Sequence, residues 1–255
     1  MQDEDFMPEV SISEYAGVRS LHLNSIWIQG SMRLSKPLKL ELDYIQRMMA
    51  PLLWQAPATW REGLCVQLGL GAAALTKYCL QVLDRPTIAV ELNPNVVRVC
   101  ERYFELPLDH DQLRLCLADA GDWVQHVDLA GQVRLLHIDL YDHEAAAPVI
   151  DDVAFYAACR DLLSDDGVLS VNLFGRQVSF ERSCQRLLEA FGPGRVWRLS
   201  STKEGNTVVV ASRASSLPPK DELQRRATAL EASQGLPAKR WLRGLREVVA
   251  AEPIA

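Results

Sequence analysis

Between residues 64 and 175 the chain carries five short, almost wholly apolar runs separated by longer stretches with helical spacing. The runs are LCVQLGL, PTIAVEL, LRLCLAD, VRLLHIDL and GVLSVNLF. The stretches between them are AAALTKYCLQVL, PNVVRVCERYF, AGDWVQHV and DVAFYAACRDLL. A run that is apolar at both odd and even positions must be covered on both faces. Strands joined through helices run parallel. The pattern therefore predicts an α/β fold built on a mostly parallel sheet with helices on either side.

After the fifth run, SFERSCQRLLEAF has helical spacing. VWRLSS and NTVVVAS then lie close together around Lys203-Glu204-Gly205-Asn206, which reads as a β-hairpin. A closing antiparallel pair is a feature of Rossmann-like, methyltransferase-type sheets and not of plain dinucleotide-binding ones. Residues 1–50 read as a small β-rich unit. VRSLHLNSIWIQGSMRL alternates partly with period two and breaks at Asn24-Ser25 and Gln29-Gly30-Ser31, which predicts a hairpin or meander. LKLELDYIQRMMAPLLW follows with helical spacing at Leu42, Ile45, Met48 and Met49. The expected division is a β-rich unit at 1–50, the Rossmann-like domain at 51–213, and a helical extension at 214–255. That extension opens with SSLPPKDEL and reads as one or two surface helices or a partly mobile tail.

Composition narrows the function classes. No apolar run approaches the ~20 residues of a membrane helix. The opening MQDEDFMPEV is acidic where a secretory leader is basic, so the expected location is cytoplasmic, away from membranes. A formal net charge of −6 lacks the basic footprint of a nucleic-acid binder. The six cysteines include no C-x-x-C pair and read as reduced core residues. The segment from His137 to His143 gathers metal-capable groups, but strand-end acids explain it more simply, so no metal is expected.

The chemistry-bearing residues sit where the apolar runs end. The first run leads into Gly69-Leu70-Gly71-Ala72-Ala73-Ala74, a turn tight enough to need glycine and open enough to approach a ligand. Glu91 ends the second run 20 residues after Gly71, where an acid can accept hydrogen bonds from both hydroxyls of a ribose. Asp119 ends the third run, Asp139 the fourth, and Asp142 follows one turn later. Ligands of open α/β sheets bind outside the carboxyl ends of the strands, so these acids should line one crevice. Asp119 and Asp142 also fit helix N-caps. Gly69-x-Gly71-x-x-Ala74 also fits a dinucleotide fingerprint, which keeps a nicotinamide-dependent oxidoreductase open.

From about residue 19 to 211 the chain resembles the spermidine synthase (polyamine aminopropyltransferase) family. The likeness rests on Gly69–Ala74, Val90-Glu91-Leu92-Asn93-Pro94, Ala118-Asp119-Ala120, Ile138-Asp139-Leu140-Tyr141-Asp142, and Phe155-Tyr156 through Gly167-Val168-Leu169. The resemblance implies transfer of an aminopropyl group from decarboxylated S-adenosylmethionine, a co-substrate and not a tightly bound cofactor, to a putrescine-like amine. It implies that Glu91 holds the ribose and Asp119 the adenine amino group, beside Ala120, Gly69 and Gly71, with Gln29 touching the donor. It implies Asp139 as the catalytic acid–base residue and Asp142 and Tyr44 as amine-site residues. A homodimer is compatible with it. The chain departs from the family pattern at several points. Ala72 stands where the Gly-Gly-Gly-Asp-Gly loop carries its aspartate, which weakens discrimination against a donor that keeps its carboxylate. The family's Tyr-His pair is Tyr44-Ile45, Asp142-His143 replaces Asp-Pro, and the tyrosine of the late hairpin is absent. An S-adenosylmethionine-dependent transferase with another acceptor, and a noncatalytic nucleoside-binding protein, remain alternatives.

Overall fold

Five parallel strands form the centre of an eight-stranded sheet, and their order places the crevice. The structure is a computed structural model that describes residues 7–141, 150–174, 177–214 and 216–250. The main sheet contains β4 (Leu64–Leu68), β5 (Thr87–Glu91), β6 (Leu113–Leu117), β7 (Val133–Ile138) and β8 (Leu163–Phe174), all parallel. Antiparallel β10 (Asn206–Ser212) pairs with β8, β9 (Val196–Arg198) with β10, and β11 (Arg246–Glu247) with β9. The order is β11-β9-β10-β8-β7-β4-β5-β6. The chain leaves β4 toward β5 and β6, then returns to lay β7 on the other side of β4. The carboxyl ends of β4 and β7 therefore flank the point where the topology reverses, where open α/β sheets take their ligands. The backbone N–H of Asp139 donates to the carbonyl of Leu68 at 2.9 Å, which ties the two strand ends together.

The apolar runs β4, β5, β7 and β8 are buried almost throughout. β6 differs. It is the edge strand, it alternates, and Leu117 is 58% exposed. Helices α4 (Ala120–His126), α5 (Val153–Leu162) and α6 (Gln177–Phe191) cover one face through Phe155, Tyr156, Leu187 and Phe191. The other face packs on Trp54, Trp60 and Trp197, with the Trp54 and Trp197 rings 5.0 Å apart. The same cluster takes Leu223, Leu230 and Trp241 from α7 (Lys220–Gln234) and α8 (Ala238–Gly244). The tail that reads as surface helices or a mobile extension is thus part of the sheet's cover, and β11 lengthens the sheet.

The N-terminal sheet has three antiparallel strands, β1 (Val10–Tyr15), β2 (Val18–Leu23) and β3 (Gly30–Arg33). β1 was not foreseen. Its turn is the two residues Ala16 and Gly17, both at positive φ, the twist that suits a tight hairpin. The helix expected across LKLELDYIQRMMAPLLW is cut short. α1 spans Asp43–Arg47, and a 3₁₀ turn, Ala50–Leu53, follows. Pro51 lacks an N–H and disfavours α geometry in the residue before it. α2 (Ala74–Lys77) widens into a π turn over Tyr78–Val82, and α3 (Pro94–Tyr103) starts at the Asn93 cap.

Lys77 fastens the two sheets. Its buried ammonium donates to the carbonyls of Phe104 (2.5 Å) and Pro37 (3.2 Å) and touches the sulfur of Met32 (3.1 Å). Burial lowers its pKa to about 8. No helix among the described residues is long and apolar enough to cross a membrane.

Candidate active site

The glycines of the first loop are required by what packs on them. Gly69 lies at φ +84, and a Cβ there would strike the carbonyl of Asp139. Gly71 lies at φ +52, and a Cβ there would sit 2.9 Å from the carbonyl of Gln29. Their freedom from side chains lets the ends of β4 and β7 and the N-terminal sheet converge. Ala73 also holds positive φ, an uncommon state for a residue with a Cβ. A cavity of about 240 Å³ opens at this junction. Gly69, Gly71, Glu91, Asp119, Ala120 and Gln29 all line it, so the residues expected around a nucleoside do come together.

Glu91 is engaged on both oxygens. Oε2 accepts from the backbone N–H of Leu70 at 2.9 Å, and Oε1 from that of Asn93 at 2.8 Å. Each oxygen keeps a second lone pair for a hydroxyl donor. Burial pushes its pKa up, and the two amides pull it back. Asp119 fills both roles open to it. It is the N-cap of α4, accepting from Asp122 N–H at 3.0 Å, and it lines the cavity.

A second cavity of about 540 Å³ lies beside the first, and Gln29, Asp139 and Tyr141 line both. Asp139 stands on this shared wall. Its Oδ2 accepts from the Tyr44 hydroxyl at 3.3 Å and its Oδ1 from Asn172 Nδ2 at 2.9 Å. Asn172 in turn accepts from Asn206 Nδ2 at 3.1 Å. Burial raises the Asp139 pKa to about 6, against the opposing pull of the Asn172 and Tyr44 hydrogen bonds. Burial, with Asp139 alongside, pushes the Tyr44 phenol well above its usual range. Tyr141 donates to the carbonyl of Asn172 at 2.9 Å and accepts from Phe174 N–H.

The second cavity is acidic and aromatic. Trp27 and Phe174 meet edge to face at 6.0 Å, and Glu41, Asp43 and Glu204 also line it. Two of these acids are already paired, Glu41 with Arg33 and Asp43 with Arg47 (2.7 Å). One expectation changes here. Ala72 lines neither cavity. It is 2% exposed and packs on Gly30, where an added Cβ would lie 2.5 Å from the Ala72 nitrogen. Asp142, expected at the amine site, lies outside the described residues.

The residues that the sequence did not single out are Trp27, Tyr141, Asn172, Phe174 and Asn206. Asn172 had a signal. With Ser170 it places two polar residues on one side of an otherwise apolar strand. Ser170 carries a separate network beneath the site. Its hydroxyl donates to the Met48 carbonyl at 2.9 Å and meets His137 Nδ1 at 2.7 Å. Cys65, Cys79 and His137 bring three ligand-capable atoms within 4.8 Å of one another, all buried. Five of the six cysteines are buried, Cys116 is half-buried, and all six are free thiols.

No protein-family model matches the chain. Among curated proteins it is 33% identical over 244 residues to a polyamine aminopropyltransferase of Neisseria meningitidis serogroup A, covering 94% of this chain and 89% of that one. It is equally 33% identical to the polyamine aminopropyltransferase of Chromobacterium violaceum, covering 94% and 90%. Among solved structures it resembles a probable spermidine synthase from Corynebacterium glutamicum, with a TM-score of 0.72, 17% identity, and 98% and 96% of the two chains covered. It also resembles a spermidine synthase in complex with the transition-state analogue AdoDATO, with a TM-score of 0.64, 17% identity, and 86% and 74% covered.

Proposed function

The chain belongs to the polyamine aminopropyltransferase (spermidine synthase) family, and we propose that it moves an aminopropyl group from decarboxylated S-adenosylmethionine to a small, putrescine-like amine. In this reading the nucleoside of the donor occupies the smaller cavity. Glu91 accepts hydrogen bonds from the ribose hydroxyls, Asp119 faces the adenine amino group, and Gly69, Gly71, Ala120 and Gln29 shape the pocket. The acceptor occupies the larger cavity beside Tyr44, between the aromatic wall and the carboxylates, with Asp142 assigned to the same site.

The observation that carries the reading is the position of Asp139. Its carboxylate lies where the two cavities meet and is oriented from both sides by Tyr44 and Asn172. The reaction needs a group there. The amine nitrogen attacks the carbon beside the sulfonium, the new C–N bond forms as the C–S bond breaks, and neutral methylthioadenosine leaves. The attacking nitrogen must lose a proton, because an ammonium has no lone pair. An ordinary aspartate near ~4 is a weak base toward an amine near ~10. A carboxyl raised to about 6 is better matched, and positioning at the reacting nitrogen supplies the rest.

Transfer to putrescine and a panel of other amines tests the proposal, with methylthioadenosine binding followed separately. Asp139→Asn keeps the shape and removes the charge. Its turnover should fall by about 10²-fold or more while nucleoside affinity stays near that of the unmodified protein. Near-normal turnover in that variant would remove Asp139 from the mechanism. Methylthioadenosine binding without transfer to any amine would favour a noncatalytic binder. Intact S-adenosylmethionine is the second donor in the test. Calorimetry with each donor, referenced to methylthioadenosine, separates the two.

A further inference from the structure

Gln67 is a polar residue in the otherwise apolar β4, and it is only 3% exposed. Its side chain runs under the turn that follows the strand. Nε2 donates to the carbonyl of Gly69 at 2.7 Å, with a longer contact of 3.5 Å to the carbonyl of Leu70. Oε1 accepts from the hydroxyl of Thr76, a fully buried residue of α2. The partners settle which way the amide faces. Carbonyl oxygens only accept, so the NH2 group lies toward the turn and the oxygen toward Thr76.

The carbonyl of Gly69 and the N–H of Leu70 belong to one peptide group. That group is planar and trans, so the two point in opposite directions. The Leu70 N–H donates to Glu91 Oε2 at 2.9 Å. One rigid plane therefore spans the distance from Gln67 to Glu91, held at its oxygen end by the first and at its nitrogen end by the second. Such a plane has one ready alternative, a rotation as a unit that reverses both ends. Gly69 lies at φ +84, and without a Cβ it offers little resistance to that rotation. The reversed plane would aim its carbonyl oxygen at the Glu91 carboxylate and its N–H at the Gln67 amide protons. Both contacts are repulsive, and Gln67 supplies one of them.

We infer that Gln67 is a positioning residue for the nucleoside pocket. By holding the Gly69 carbonyl it keeps the Leu70 N–H on Glu91, and so fixes the carboxylate that meets the ribose of the donor. Gly69, Leu70 and Glu91 line the smaller cavity; Gln67 lies beneath it and acts through them. Thr76 holds the far end of the Gln67 amide and so extends the same support into α2. The effect on ribose binding rests on the nucleoside reading of the smaller cavity; the locked peptide plane does not.

Two measurements test this, one with ligand and one without. The first compares calorimetric affinities for methylthioadenosine and for its counterpart lacking the ribose 2′-hydroxyl. The unmodified protein should prefer the full ribose by about tenfold or more, the weight of a charge-assisted hydrogen bond. Gln67→Leu fills much the same space with no donor, and should cut that preference to about threefold or less. Thr76→Val should cut it in the same direction by a smaller factor. A loss of affinity that leaves the ratio intact would mean a general loosening of the pocket and overturns the inference. The second measurement follows amide hydrogen exchange by NMR in the ligand-free protein. Exchange at Leu70 should quicken about tenfold or more in Gln67→Leu, while the Gly69 amide, bonded to the Val90 carbonyl at 2.9 Å, keeps its protection. Equal protection of Leu70 in the two proteins overturns the lock. Equal binding of the two nucleosides by the unmodified protein would instead dismiss the ribose reading of Glu91, and the exchange result still decides the lock. Melting curves check the fold of each variant, and Thr76→Val carries both measurements should Gln67→Leu not fold.

Discussion

Replacing Tyr44 by Phe removes one hydroxyl and one hydrogen bond to Asp139, leaving the ring that fills its place. That bond stabilises the carboxylate and not the carboxylic acid, so its loss raises the Asp139 pKa. A hydrogen bond to a charged group contributes about 1.5–3 kcal/mol. At 3.3 Å this one lies beyond the usual O–H···O range, so about 1 kcal/mol is a fair weight. One pKa unit corresponds to about 1.4 kcal/mol, which gives a shift of roughly 0.7 units upward from about 6. Only the carboxylate serves as base. At pH 6 its fraction should drop about threefold, whereas at pH 8 it should hardly change. The assay is kcat for aminopropyl transfer across pH 5–9 at saturating donor and acceptor, for the unmodified and variant enzymes. The decisive quantity is the displacement of the acid limb between the two profiles, because a bound sulfonium lowers both curves alike. An acid limb that stays in place would refute the reasoning. A uniform loss at every pH would show that the hydroxyl acts on the substrate and not through Asp139.

Two further outcomes follow from the same geometry. Glu91→Ala should weaken methylthioadenosine binding by about 1.5–3 kcal/mol, read by calorimetry on folded protein, with Glu91→Gln intermediate because its single amide oxygen can accept from only one of the Leu70 and Asn93 N–H groups; unchanged affinity in the alanine variant would dismiss its ribose role. Lys77 has a folded-state pKa of about 8, below its ordinary value, so the unfolded chain binds that proton more readily and folding carries the full penalty below pH 8. Stability should therefore rise from pH 8 toward 10.5 by up to about 3 kcal/mol relative to Lys77→Met in denaturant titrations, and parallel pH curves for the two proteins would contradict it.

The central sheet was legible because doubly covered strands leave apolar runs that nothing else produces, and the acids at their ends marked the crevice. The rest was hidden for identifiable reasons. β1 has only Val10 and Ile12 on its inner side, too few to stand out as a strand. α1 ends early because Pro51 interrupts a spacing that otherwise reads as continuous helix. β6 looks like its buried neighbours in sequence, yet strand order makes it the edge, and order is set by packing between distant elements. Ala72 aligns with a site residue, but the fold turns it onto Gly30. The tail's Leu223, Leu230 and Trp241 announce a buried face without saying what covers it. Asn172 and Asn206 become site residues only once β8 and β10 are paired beside β7.

The two cavities share three residues and almost nothing else. The smaller is walled mainly by the ends of β4, β5 and β6. The larger draws on the loop at 26–28, on α1, and on β8 and the β9–β10 turn. For an evolving lineage, or for an engineer, this is a separable design. Substitutions at Ile26, Trp27, Ile28 or Glu204 should reshape the larger cavity without disturbing the smaller one, because none of them lines it. Gln29, Asp139 and Tyr141 are the opposite case: a change there alters both chambers together, so drift in acceptor preference should spare those three positions and accumulate in the loop.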